Sequence, residues 1–270
     1  MRDQIIVRSQ KEISLSFGEY EIQFVKPAAA EVELVSYTFA PARVVYLATR
    51  AYKGIYDVDI QYDGTYTLKS AFEDIQKTKL QTPLEIIHTL WLLKDVTRAF
   101  THQLVRYRVG TAFIQESMRF LGMKKIFKVL VTHQAASDQP YTVIPDGFHR
   151  IEEPNLDLYC HGAVGAIRSY VDLLDRGVPS EDARGVLPTN IMTRLYFDCS
   201  LRTLQAIFPQ RLCCQAQQGE WQPILIEMRK QMKEKMGNEI ESLLRAPYEH
   251  GQDCGYRASF DRPCIWQKGE

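Results

Sequence analysis

Between Arg106 and Phe120 the chain reads Arg-Tyr-Arg-Val-Gly-Thr-Ala-Phe-Ile-Gln-Glu-Ser-Met-Arg-Phe, and no other stretch gathers so much usable chemistry. Arg106, Arg108 and Arg119 supply guanidinium groups, Ser117 a hydroxyl, and Gln115 and Glu116 two further polar ends. Arginine grips a phosphate or carboxylate with two parallel N–H donors, and a turn at Gly110-Thr111 lets backbone N–H groups approach the same anion. The expectation is that the three guanidinium groups converge around one turn as an anion site. Arginine-rich stretches are also, and more commonly, solvated faces with ordinary salt bridges, so the remainder of the chain has to decide.

The preceding segment must aim these groups. Asp95 to Arg106 reads as a helix with Asp95 as its N-cap. Val96, Phe100 and Leu104 recur at i, i+4 and i+8 as one buried stripe. Gln103 and Arg106, three residues apart, leave from neighbouring positions at the edge of that stripe and carry an amide and a guanidinium together into the space beside the core. Upstream, Thr82-Pro83-Leu84-Glu85 opens a segment whose apolar run, Ile86 to Leu93, is a buried strand or the start of a helix; periodicity does not separate these for so short a run. On a strand His88 shares a face with Ile86. A lone histidine among apolar residues is commonly a satisfied core residue, and His88 is open to that reading and to a functional one. His102 has no catalytic partner in sequence and is read as structural.

Around this centre the patterns alternate between sheet and helix. Gln4 to Val7, Glu12 to Phe17, Tyr20 to Val25 and Glu31 to Phe39 have the β-branched and aromatic content of strands and are expected to pair with one another. Pro41 opens a helix carrying Val44, Val45, Leu47, Ala48 and Ala51 and ending near Gly54. A tyrosine-rich loop follows from Tyr56 to Tyr66, its aromatic rings read as packing or interface material. Lys124 to Thr132 is strand-like, and Gln139 to Gly147 is a loop. A long amphipathic helix starts at Pro154 and stops at Gly177, with Leu158, Ala163, Val164, Ile167, Val171 and Leu174 on its apolar face. Pro179-Ser180-Glu181-Asp182 starts another. A last helix runs from Glu220 to about Leu244 with a break at Gly237-Asn238, after which residues 245–270 form a tail that Trp266 anchors.

Composition narrows the function. The 270 residues carry equal numbers of basic and acidic side chains, 33 of each, so the chain has no overall electrostatic footprint for a nucleic acid polymer or an anionic membrane. Any anion it takes is small and locally held. No apolar run approaches the roughly 20 residues that span a bilayer, and Met1-Arg2-Asp3-Gln4 does not begin a secretory signal, so a cytoplasmic location is expected. Cys160, Cys199, Cys213, Cys214, Cys254 and Cys264 lack paired Cys-x-x-Cys spacing, and no metal site is expected; they read as reduced thiols in or near the core. Neither an internal repeat nor a linker composition divides the chain, which is read as one domain.

A second informative block is Ala183-Arg184-Gly185-Val186-Leu187-Pro188, followed by Thr193, Ser200-Leu201-Arg202-Thr203-Leu204, Arg211 and Ala216-Gln217. Together with the first, it resembles the flavin-dependent thymidylate synthases. Their signature has Arg-His-Arg, seven or eight residues, then Ser, an Arg two positions on and an aromatic residue. Here Arg106 and Arg108 flank Tyr107, eight residues follow, and then come Ser117, Arg119 and Phe120. Thr101-His102-Gln103-Leu104-Val105-Arg106 is similar to the segment leading into that signature. The second block matches in order and spacing, an Arg before Val-Leu-Pro and another Arg far along the following helix. The resemblance covers roughly residues 82 to 120 and 183 to 217.

The resemblance implies an α+β fold, a mixed sheet with surrounding helices, assembled as a homotetramer with active sites shared between subunits. It also implies methylation of dUMP at uracil C5, with the one-carbon unit from methylenetetrahydrofolate and the hydride from FAD reduced by NADPH. Gln103, Arg106, Gln115, Ser117 and Arg119 match positions that hold phosphate and sugar, and Arg184 and Arg211 match arginines that reach the pyrimidine. The chemistry is thereby assigned to Arg211, Arg184 and Ser117. For Ser117 a hydrogen bond to phosphate is simpler than nucleophilic attack, because no His-Asp pair lies nearby to activate it. On the flavin side the matching positions are Arg106, Tyr107, Arg108, Val109, Gln115, Ser200, Arg202 and Gln215. The family's histidine after Pro-Leu-Glu is Ile86 here, and the resemblance favours a strand for this segment, with His88 as the candidate substitute.

Several flavin-side positions depart from the family. Tyr107 replaces His, Ser200 and Ala206 replace Asn residues, and Gln215 replaces His. Tyr107 can still offer an aromatic ring to the isoalloxazine. Cys213 and Cys214 lie near Arg211 in sequence, and a thiol attacking uracil C6 is chemically sensible, but nothing here lowers a thiol pKa. Two other classes stay open: a related flavin enzyme that acts on UMP or leaves a hydroxymethyl group, and a flavin-free nucleotide-binding protein.

Overall fold

An apolar β-branched run and two alternating runs near the start of the chain build a meander of β1 (Gln4–Val7), β2 (Ile13–Phe17) and β3 (Tyr20–Val25). The computed structural model describes residues 4–7, 13–17, 19–25, 30–56, 65–78, 81–123, 126–130, 155–212, 220–246 and 249. The class is α+β. β7 (Ile126–Leu130) joins the meander parallel to β3, with Glu21 opposite Ile126, giving a mixed four-stranded sheet. β4 (Glu31–Tyr37) does not pair with the first three strands as expected. It opens a second, antiparallel sheet in the order β4-β5-β8-β6, with β5 (His88–Thr97), β8 (Met192–Ser200) and β6 (Thr111–Gln115).

One face of this second sheet is apolar and carries Trp91, Leu93, Leu195, Phe197 and Cys199, all buried. Phe113 of β6 stacks on Phe197 of β8 with ring centroids 5.3 Å apart. Against this face pack α1 (Pro41–Ala51), α2 (Leu68–Thr78), α6 (Leu201–Arg211) and α7 (Trp221–Met236). The first sheet has its own core, where Ile22, Phe127 and Val129 meet Ala163, Ile167, Tyr170 and Val171 of α4 (Asn155–Asp175). Leu158 of α4 is exposed, which corrects its expected place on the buried face. Gly177 (φ +81) and Gly237 (φ +112) end α4 and α7 in conformations that a side chain disfavours.

The edge of β4 is covered by a side chain. Gln231 of α7 accepts from the Leu34 N–H at 2.8 Å and donates to the Val32 carbonyl at 2.6 Å, taking the place of a neighbouring strand. Beyond it the register of β4 shifts between Leu34 and Ser36.

The run after Pro83 is a strand, but it starts at His88 and continues to Thr97, beyond the expected end. Ile86 lies outside it in helical backbone, so the face shared with His88 does not exist. The helix expected from Asp95 is shorter: α3 spans Arg98–Leu104, and its cap is Thr97, whose hydroxyl accepts the Phe100 N–H at 3.0 Å. Asp95 is a bulge residue of β5 at φ +55, with its carboxylate on Lys128 of β7. The stripe of Val96, Phe100 and Leu104 is buried as expected, although Val96 reaches it from the strand. Strands β6 and β8 and helix α2 had no counterpart in the sequence reading. Tyr66 is packing material: its hydroxyl donates to Asp74 and its ring lies 4.9 Å from that of Tyr46. The loop at 139–147 and Trp266 lie outside the described residues.

Candidate active site

Thr97 ties together the two helices that frame the first part of the site. Its N–H and hydroxyl both donate to Glu220, at 2.8 Å and 2.5 Å, while the same hydroxyl caps α3. Glu220 is buried, and burial pushes its carboxyl up from 4.5 to about 7 although the Thr97 bonds oppose the shift. The next residue, Trp221, is only 1% exposed; it starts α7 and lies against Phe100 of α3, ring centroids 4.4 Å apart. α3 and α7 are thus locked together where Gln103 leaves α3.

There Arg211, in the last turn of α6, meets Gln103, Tyr107 and Trp221. Its Nη1 donates to the Gln103 side-chain oxygen at 3.0 Å, and its Nε donates to the Tyr107 hydroxyl at 2.8 Å. Its Cζ sits 4.6 Å from the Trp221 ring centre and 5.5 Å from that of Tyr107. Trp221 Nε1 donates to the same Gln103 oxygen at 3.1 Å, and the Tyr107 hydroxyl donates to Gln210 at 3.0 Å. Gln103 and Arg211 are therefore brought together from positions far apart in sequence. Arg106 is not with them: it falls in the turn after α3 ends at Leu104 and is exposed, which corrects the expected pairing with Gln103 on one side of a helix.

After that turn the signature loop is fastened to the start of α6. Ser200 caps the helix by accepting the Thr203 N–H at 3.2 Å, and the Thr203 hydroxyl donates to the Val109 carbonyl at 2.6 Å. Gly110, at φ +62, lies so close that a Cβ there would come within 2.6 Å of Ser200 Oγ. Thr111 closes the turn by donating to the Tyr107 carbonyl at 2.6 Å. Val109, Arg108 and Arg106 stay exposed, and Arg202 is half-buried in the first turn of α6. Ser200 itself is fully covered, its hydroxyl used by the helix cap.

The rest of the signature runs along β6 to a third group. Gln115 donates to Thr101 at 2.8 Å, anchoring the strand on α3. Arg98 donates to the Glu116 carbonyl at 2.6 Å; its guanidinium is desolvated by burial and faces the charge of Arg184, both of which lower its pKa. Ser117 accepts the Arg119 N–H at 3.3 Å. Arg119 pairs with Glu181 at 3.1 Å, and Arg184 Nε donates to the Glu181 carbonyl at 3.0 Å. Arg119 and Arg184, from the two separate blocks, thus meet on one residue of α5 (Ser180–Ala183). The three signature arginines do not converge on one turn: Arg106 and Arg108 lie on the loop beside α6, and Arg119 lies with α5.

On the open face of the second sheet, His88 Nδ1 is 2.9 Å from Asp198 Oδ2, and both side chains are partly exposed. An imidazole held this way presents its other nitrogen outward. Among the described residues no group of His, Cys, Asp and Glu is arranged to hold a metal ion. Cys199 is buried and its thiol pushed far up by burial; Cys213, Cys214 and Gln215 lie outside the described residues.

A family model described as thymidylate synthase complementing protein matches residues 33–237. The chain belongs to that family. Its curated relatives carry the name flavin-dependent thymidylate synthase. The one from Geobacter sulfurreducens is 27% identical over 205 residues, covering 75% of this chain and 82% of its own. The one from Sulfurisphaera tokodaii is 28% identical over 189 residues, covering 69% and 67%. Among solved structures, the UMP/dUMP methylase PolB from Streptomyces cacaoi, bound with 5-Br dUMP, matches with a TM-score of 0.61 at 19% identity, over 81% of this chain and 95% of that one. That likeness is one of fold.

Within the flavin-dependent thymidylate synthase family the donor set of this chain fits an anionic dinucleotide. Arg106 and Arg108 are exposed and pair with no described acid, and Arg202 flanks the same loop, which suits a diphosphate. Val109 offers an exposed apolar group and His88 a partly exposed ring. Sequence reasoning missed Glu181, Trp221, Asp198, Thr203 and Arg98. None of them has a clean local signal; each shows itself only through contacts between segments separated in sequence.

Proposed function

We propose that the protein is a flavin-dependent thymidylate synthase that methylates dUMP at uracil C5, taking the one-carbon unit from methylenetetrahydrofolate and using FAD reduced by NADPH. Its class follows from the family: relatives so named are enzymes that transfer a methyl group and depend on a flavin. The observation that carries the reading is the meeting of Arg119 with Arg184 at Glu181, since it brings together two blocks far apart in sequence whose arginines match the phosphate and pyrimidine positions of the family.

In this reading Arg119 and Ser117 hold the phosphate, with the dianion displacing the Glu181 carboxylate from Arg119. Charge-assisted bonds of this kind are roughly twice as strong as neutral ones. Gln103 and Gln115 orient the sugar side. Arg211 and Arg184 stabilise negative charge that builds on the pyrimidine. Arg106, Arg108, Val109, Arg202 and His88 hold the flavin, which when bound supplies the hydride. Two flavin-side positions are discounted: Ser200 is committed to its helix cap and Tyr107 to Arg211. The reading includes a homotetramer with shared active sites, supported by the open face of the second sheet, where Ile114 is 73% exposed and Tyr196 and Val35 are partly uncovered. A cytoplasmic setting belongs to the same reading; no described helix is long and apolar enough to cross a membrane.

The test is anaerobic single turnover: protein reduced with NADPH is mixed with dUMP and methylenetetrahydrofolate, flavin absorbance is followed, and the nucleotide is analysed by mass. Flavin reoxidation coupled to dTMP supports the proposal, and the same run with UMP sets the preferred nucleotide. Protein that holds no flavin and cannot be reconstituted with FAD rejects it in favour of a nucleotide-binding role.

A further inference from the structure

We propose that Tyr107, standing where the family has histidine, is a positioning residue for Arg211 and no flavin contact, and that with Gln103 and Trp221 it forms a neutral clamp around that guanidinium. The inference rests on the reading of Arg211 as a nucleotide-binding residue.

The chemistry of the clamp is specific. A phenol hydroxyl has one proton to give and lone pairs to receive; here the proton goes to Gln210 at 3.0 Å and Arg211 Nε is received at 2.8 Å. An imidazole at the same position carries its nitrogens closer to the backbone and ends short of Arg211. Gln103 is turned so that its oxygen faces two donors, Arg211 Nη1 and Trp221 Nε1. The Trp221 ring closes one side of the guanidinium at 4.6 Å. None of these partners is a carboxylate. The nearest buried acid in sequence, Glu220, is bound to Thr97 instead.

Among the described residues Arg211 is consequently held without being neutralised. Anchoring by an acid would fix the side chain equally well, yet it would cancel much of the charge needed beside a ring that gains electron density. Two hydrogen-bond acceptors and an aromatic face restrict the rotamers of a long side chain and leave its full charge for the ligand. The tyrosine is the part of this arrangement that departs from the family, and it works because the ring of Tyr107 is turned inward, edge-on to Trp221 at 6.4 Å.

The test uses the full-length holoenzyme with Tyr107→Phe, Tyr107→His and Arg211→Ala. Tyr107→Phe keeps the ring and removes the bond to Arg211. It is expected to raise the dissociation constant for dUMP about tenfold, the scale of one lost bond to a charged group, with FAD content and the bound-flavin spectrum unchanged. Tyr107→His is expected to show the same dUMP defect and no gain in FAD affinity. Melting temperature is read for every variant, and dUMP binding is normalised to folded protein, since a packing role alone lowers the first and spares the second. A Tyr107→Phe protein with unaltered dUMP affinity overturns the proposal, as does one whose main change is in flavin affinity or spectrum. Arg211→Ala separates the two levels. If it leaves nucleotide binding intact, the underlying assignment of Arg211 fails; if it abolishes binding while Tyr107→Phe is silent, only the clamp fails.

Discussion

Arg211 and Arg119 are matched to the same nucleotide, yet the protein holds them in opposite ways. Arg211 lies half-buried among neutral acceptors and an aromatic wall, reached from α3, α6 and α7. Arg119 lies outside, with 59% of its side chain exposed, on a carboxylate that is 53% exposed. An exposed pair of this sort contributes roughly 0–1 kcal/mol and is weakened by salt. The first arginine is ordered before any ligand arrives, whereas in the proposed function the second exchanges one anion for another on binding. On that proposal, rigidity is placed where charge must be aimed at a ring, and adaptability where a phosphate only has to be caught.

The largest effect is expected at the rigid end. Arg211→Ala should lower kcat/KM for dUMP by about a thousandfold, the upper range for losing one preorganised donor. Arg211→Lys should recover little of it, because a point charge reproduces neither the stacking nor the fork of donors. Steady-state kinetics with varied dUMP reads both, and a fully active lysine variant would break the comparison.

The support beneath that end can be titrated. Glu220 has a folded-state pKa near 7, above its ordinary 4.5, so the folded protein favours the neutral acid. Its contribution to stability is therefore complete below about pH 4.5 and lost as the pH rises through 7. The integrated change is about 3 kcal/mol. Thermal melts between pH 5 and 8 should show the midpoint falling in the wild type and a flatter profile for Glu220→Gln. Parallel profiles would mean that the carboxylate is better stabilised by Thr97 than its burial suggests.

At the adaptable end, Arg119→Ala is expected to weaken dUMP binding about a hundredfold, the cost of a lost charge-assisted pair of bonds to phosphate, with the melting temperature nearly unchanged. Isothermal titration reads the first and a melt the second. Glu181→Gln should be the mildest change, altering dUMP affinity by less than about fivefold and stability by under about 1 kcal/mol. A strong loss of folding in Glu181→Gln would show that this corner is as rigid as the other.

Much of this was legible in the chain, and the losses have physical reasons. Strands with clean alternation, such as Tyr20–Val25, and helices with punctuation, such as α4 before Gly177, declare themselves locally. The strand β8 did not, because Met192–Ser200 is buried on one face and mixed on the other, and its arginine and tyrosine obscure the period. Asp95 looked like a cap by type; a carboxylate in a β-bulge has the same local sequence, and only its partner Lys128, on another sheet, distinguishes the two. Arg184 and Arg119 were found through the family resemblance, whereas Glu181 and Trp221 acquire meaning only once distant segments are adjacent. Ser200 carried a family position, but local capping claimed its hydroxyl first.

The glutamine at position 231 has a consequence for how copies of the chain can associate. By satisfying Leu34 and Val32 it closes one border of the second sheet, while the outer border of β6 faces no described strand. A sheet with two open borders can be extended indefinitely, each new copy offering the border its predecessor consumed. With that border covered, copies of this sheet that join edge to edge do so most readily in a reciprocal way, β6 on β6, and such a joining ends at two copies. A single side-chain amide thus takes two backbone groups of β4 out of reach of a second copy.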